Sequence, residues 1–138
     1  MNNYEEQPLT ILKKTVSDVC DVEITQMLDK NVTRRHYHYN HARWLLWLAI
    51  KSLTHYSNNV IARMTKDKDG NSFSVDSVGK GIAKMSQMTS KDYVWRQKWQ
   101  AIKEVIDDLK KESGAREETK QKITIIVPFG IEVEVKNQ

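Results

Sequence analysis

Cysteine is nearly absent from this 138-residue chain: the one present, Cys20, cannot build an internal disulfide framework and fits a reducing compartment. Long apolar runs are also missing, and none approaches the roughly 18 residues of a membrane span. The first residues, Met1-Asn2-Asn3-Tyr4-Glu5-Glu6, are polar and acidic. That is not the pattern of a signal peptide, so a cytoplasmic place is expected. Acids are lacking from residues 30–66 altogether, which leaves a nuclease no carboxylates there to hold a metal. Nor is there a paired-carboxylate or nucleophile–base constellation, so no enzyme and no cofactor is expected. Gly79-Lys80-Gly81 is not a phosphate loop, because it lies inside a helical pattern and lacks the spacing and the preceding strand.

What is present is positive charge, and it is concentrated. Residues 30–69 hold eight Lys/Arg against two acids, a net of +6, although the whole chain carries only +4. Residues 1–29 run the other way, with six acids against two lysines, which marks packing support rather than a nucleic-acid face. A hydrophobic content of 39% is enough for one domain with an appendage.

The spacing of apolar residues sets out the elements. Residues 1–8 read as a tail closed by Pro8. Leu9, Leu12, Val16, Val19 and Cys20 mark one face of a helix with Thr10 at its N-cap, and another helical turn follows over 23–28. Residues 30–41 form a basic, aromatic loop containing Arg34, Arg35 and His36. Its three histidines, at 36, 38 and 41, have no carboxylate or second cysteine beside them, so phosphate proximity is favoured over metal binding. Residues 42–53 are apolar almost all round, as a central helix is. Arg43 and Lys51, eight apart, share a side of it and can line a phosphate-facing strip, the alternative being solubility alone.

Ser57 caps a short helix over 58–64, and a turn without apolar residues follows, holding Lys66, Lys68 and Asp69-Gly70-Asn71. A third helix runs from about 74 to 85, with Val75, Val78, Ile82 and Met85 inward. Its N-terminal end offers Asn71, Ser72, Phe73, Ser74 and Ser77 to base edges. Phe73 either touches a thymine methyl or tucks into the core beside the cap; the sequence leaves both open. Ser90 is the expected cap of a long helix over 90–111. Its seam of Trp95, Trp99, Ile102, Ile106 and Leu109 packs on its own domain or on a second copy. Ser113-Gly114 closes that helix, a charged linker follows, and two β-branched runs at 123–127 and 131–135 flank Pro128-Phe129-Gly130 as a β-hairpin. Two strands alone are marginal in water, so the hairpin is expected to dock or to pair with a partner, a homodimer contact included.

The predicted fold is therefore mainly α: a helical bundle with a helix-turn-helix over 9–112, and a linker and hairpin over 113–138. The span from about 9 to 85 resembles the C-terminal DNA-binding domain of the bacterial chromosomal replication initiator DnaA, a Trp-repressor-like helix-turn-helix. The likeness rests on the order of elements and on short matches at Ala42-Arg43, Lys51, Leu53, Thr54, Ser57, Ile61, Val75 and Ile82. It implies that Arg35 enters a minor groove and that Arg43 and Lys51 contact phosphates. Where that family carries Asp-His-Thr-Thr before the valine, this chain has Asn71, Ser72, Phe73 and Ser74, after a longer turn. No ATPase module accompanies the span, so a stand-alone relative of phage or mobile-element origin is expected rather than an ATP-driven initiator.

The expected partner is double-stranded DNA, read in sequence, in replication control or transcriptional regulation. The alternative is a protein–protein adaptor that works through the hairpin.

Overall fold

The structure is a computed structural model. It describes residues 3–29, 37–67 and 69–129, with side chains over 7–29, 37–67 and 69–112. The described residues form six α-helices and no strand: α1 (Asn3–Cys20), α2 (Ile24–Met27), α3 (Tyr37–Thr54), α4 (Asn58–Met64), α5 (Val75–Lys91) and α6 (Tyr93–Phe129). The chain is thus mainly helical. None of the described helices is long and apolar enough to cross a membrane.

α3 is the hub, packing against α1, α2, α4 and α5. Its residues Leu45, Leu46, Trp47, Ala49 and Ile50 are fully enclosed, as the all-round apolar pattern predicts. α1 contributes Leu9, Leu12 and Val16, the face predicted from steps of three and four. α1 ends in a Schellman pattern: Asp21 takes the left-handed conformation (φ 55°), its N–H donates to Asp18, and the N–H of Val22 donates to Ser17. Val22 is buried there, which supplies the apolar contact such an ending uses.

Several boundaries differ from expectation. α1 begins at Asn3, so the expected tail 1–8 is helical from that point, with Pro8 inside the helix. Pro8 is the sixth residue of α1, past the first-turn N–H groups that lack partners, so it removes one intrahelical hydrogen bond, and the helix continues past it. α3 starts at Tyr37 rather than 42 and thus takes in the last part of the basic loop. α5 runs to Lys91, and Ser90 does not cap α6: its hydroxyl donates back to the Ser86 carbonyl inside α5. Asp92 is the cap, accepting the N–H of Val94 at 2.9 Å and of Trp95 at 3.2 Å.

The chain divides into two compact units, one through Ile106 and one from Asp107. In the first unit, Ile102 and Ile106 are buried, so the middle of the Trp95–Leu109 seam is covered by its own chain. In the second unit the backbone stays helical through Phe129, where the first hairpin strand (123–127) was expected. Gly114 does not stop it. A lone glycine weakens a helix by about 1 kcal/mol, whereas residues 115–122 are mostly strong helix formers and helix propagates cheaply once begun. The second expected strand, 131–135, lies outside the described residues.

Candidate nucleic-acid interface

α4, the connection after it and α5 are the segment predicted as a helix-turn-helix, with α4 and α5 in direct contact and both resting on α3. The serine hydroxyl of Ser57 accepts the N–H of Val60 and so starts α4 as expected. At the other end of α4, Thr65 is fully buried. Its hydroxyl donates to the Ile61 carbonyl at 2.8 Å and accepts the indole N–H of Trp47 at 2.9 Å. This small polar relay ties the end of α4 to the middle of α3 and leaves neither group unpaired.

The connection is a folded loop, for reasons visible at single residues. The buried Asp67 carboxylate accepts the N–H of Asp69 at 3.0 Å and of Asn71 at 2.8 Å. Its own N–H donates to the Asn71 carbonyl, and its carbonyl accepts from Gly70. Gly70 stands at φ 86°, which glycine adopts without strain. Lys66, Asn71 and Ser72 are held at the surface by this loop. Lys68 lies outside the described residues.

Phe73 is buried, 6% exposed, edge-on to Trp47 with ring centroids 5.3 Å apart. The core placement is thus the one the fold adopts, and no thymine contact is open to this ring. With Val78, also buried, it occupies the two positions of a hydrophobic staple around the Ser74 cap. The Ser74 hydroxyl accepts the N–H of Ser77 at 3.0 Å and donates to the Ser77 hydroxyl at 2.7 Å. Ser74, Val75, Asp76 and Ser77 are all exposed, Val75 to 46%. Beyond them Lys80 pairs with Asp76 at 3.2 Å, with both side chains open to solvent. A shallow depression between α4 and α5 is lined by Asn58, Val75, Asp76, Gly79, Lys80 and Ala83.

Arg43 is not on a surface strip. It is 8% exposed and its guanidinium turns inward, donating to the carbonyls of Met27 at 3.2 Å and Asp29 at 2.9 Å and to the Asn40 side chain. It stacks over Phe73 at 4.7 Å and Trp47 at 5.6 Å. The physical reason is the end of the short α2: the carbonyls of Met27, its last residue, and of Asp29 just after it have no helical continuation to bond to, and Nη1 of Arg43 donates to both. Burial lowers the Arg43 pKa to about 10, with Asp29 opposing, so the cation persists at neutral pH. Lys51, half-buried, is engaged as well: its ammonium donates to the Tyr56 carbonyl at 2.9 Å and to the Asn58 side chain at 3.3 Å, holding the α3–α4 turn. The predicted pair Arg43 and Lys51 therefore serves the frame. Arg34, Arg35 and His36 lie outside the described residues.

The exposed cations that sequence reasoning missed are Arg63, Lys80 and Lys84. Their signal was available in part, since Lys80 and Lys84 stand four residues apart on one side of α5. Cys20 is a poor nucleophile: burial pushes its thiol up to about 11. Among the described residues no group of His, Cys, Asp or Glu could hold a metal ion. Compared with known proteins, the chain matches no family model, no curated protein and no solved structure.

Proposed function

We propose that this chain is a cytosolic, sequence-specific double-stranded DNA-binding protein, acting in replication control or transcriptional regulation. The observation that carries the reading is the N-terminal turn of α5. It is exposed and capped, it follows a loop in which the Asp67 carboxylate accepts the N–H groups of Asp69 and Asn71, and Lys66 and Lys80 on either side of it are exposed. In a helix-turn-helix reader that turn enters the major groove, while flanking cations set the register on phosphates. Asn71, Ser72, Ser74 and Ser77 are the proposed base-edge readers. Lys66, Lys80 and Arg63, with Arg34, Arg35, His36 and Lys68 of the two loops, are the proposed phosphate contacts. The sequence resemblance to the initiator's DNA-binding domain points the same way, with Arg35 as the minor-groove residue.

The test is binding to a random duplex DNA pool across a salt series, with selection and sequencing of the bound fraction. A steep loss of affinity with salt and an enriched motif are expected. Lys66→Ala and Lys80→Ala should each lower the salt slope by about one and weaken all sequences alike. Absence of duplex binding at low salt would sink the proposal.

A second reading draws on the β-branched runs at 123–135, which fall in the unit separate from the main core. In it that segment is the contact for a protein partner or a second copy. Deletion of 123–138 would then abolish association, measured by analytical ultracentrifugation, and leave duplex binding intact.

A further inference from the structure

Away from the α5 N-terminus, four aromatic rings meet where α3 begins and α6 begins. His41 is central: its ring lies 5.3 Å from Tyr37, 5.0 Å from Trp44 and 5.7 Å from Trp95. Tyr37 is 59% exposed, and His41, Trp44 and Trp95 are half-buried, so the cluster opens onto the surface. A cation stands at each indole: the Lys84 ammonium 5.3 Å from Trp44 and the Lys98 ammonium 5.0 Å from Trp95. No acid occurs in the sequence from 30 through 66, so the α3 side of the patch brings no negative charge. At the start of α6, the Asp92 carboxylate accepts the helix N–H groups of Val94 and Trp95.

Packing alone does not call for this arrangement. A tyrosine wanted only for the core would be covered, and lysines wanted only for solubility need no ring beneath them. Rings that offer apolar faces, interleaved with cations, are what an unpaired nucleic-acid strand uses: bases stack on the rings and phosphates meet the ammonium groups. A duplex would use the cations but could not reach the rings with its stacked bases. An acidic peptide would likewise leave the rings idle.

We propose that Tyr37, His41, Trp44 and Trp95, with Lys84 and Lys98, form a stacking platform for single-stranded DNA, distinct from the duplex-facing turn of α5. The choice of DNA over RNA rests on the duplex-binding reading above. The platform itself does not. Lys84 and Lys80, four residues apart and both exposed, share one side of α5.

The test uses the full chain with fluorescent dT and rU oligonucleotides and, separately, a duplex selected as above. Tryptophan quenching is followed alongside anisotropy. The wild type is expected to bind dT with quenching. Tyr37→Ala is expected to weaken dT binding about tenfold, as loss of one stacking surface does. Tyr37→Phe should retain binding, Lys84→Gln with Lys98→Gln should weaken it, and duplex affinity should move little in Tyr37→Ala. Tyr37 is mostly exposed, so its variants keep the fold, checked by circular dichroism. No binding of either oligonucleotide by the wild type overturns the platform, as does dT binding indifferent to Tyr37→Ala. An equal loss of duplex affinity overturns its separateness, and rU binding without dT binding overturns the choice of DNA. Duplex binding without dT binding leaves the helix-turn-helix reading standing, and the reverse result removes that reading alone.

Discussion

Gly81 shows how closely α5 approaches α3. A Cβ at that position would lie 2.5 Å from Cδ1 of Trp44 and 2.9 Å from Cε3 of Trp47. Two indoles packed in the hub cannot yield cheaply, so Gly81→Ala should destabilise the fold by about 1–3 kcal/mol, read from urea unfolding. Gly79→Ala makes the contrast. Its Cβ meets only the amide tip of Asn58, at 3.2 Å, which can swing aside, so its effect should be smaller. The Gly79-Lys80-Gly81 motif is thus a packing notch rather than a phosphate cradle. His41 supplies a pH dependence. Burial first, then His38 and Lys84, holds its pKa below the ordinary 6.5. The folded state therefore binds this proton less readily than the unfolded chain does. Above the ordinary value both states are neutral and nothing changes. As pH falls through that value toward the folded one, stability is lost, and below the folded value no more is lost from this source. A melting-temperature series should show that decline beginning near pH 6.5, ahead of the carboxylates, and His41→Phe should flatten it.

At the scale of elements, the junction between α5 and α6 turns on one residue. Asp92 ends α5, donating its N–H to Met88, and begins α6 with its carboxylate. Asp92→Ala should cost about 1 kcal/mol of thermal stability, as loss of an N-cap does. Ser90→Ala should be neutral or slightly stabilising, because Ser90 sits inside a helix where alanine is the better former. Sequence order alone favoured Ser90, since both serine and aspartate cap well and nothing local says which stands at the break. The same ambiguity explains the start of α3. Residues 37–41 read as loop because their aromatics and histidines lack an apolar period, yet ring contacts of His41 to Trp44 and Trp95 hold them in helix. By contrast Ser57 and the Asp69-Gly70-Asn71 turn were legible, because capping and left-handed geometry are satisfied by neighbours along the chain.

Across the whole molecule, cations divide into two classes that the sequence writes with the same letters. Arg43 is consumed inside, bridging α2 to α3, whereas Lys80 stands in solvent. Arg43→Leu should lower stability by about 3 kcal/mol or more, since buried carbonyls lose their donors, and leave the salt slope of the proposed DNA binding unchanged in the folded fraction. Lys80→Ala should do the opposite, with an unaltered unfolding midpoint and a shallower slope. Unfolding curves and salt titrations on the two variants distinguish the classes. The residues alone determined that the chain is mainly helical, that the 42–53 segment is its core, and where the basic charge concentrates, because periodicity and composition are local properties. The direction of each side chain was decided only in three dimensions. Phe73 went to the core because Trp47 and Arg43 were there to receive it, and Lys51 closed a turn because Tyr56 and Asn58 offered oxygens. Partners brought together from distant positions set those outcomes, and distance along the chain conceals them.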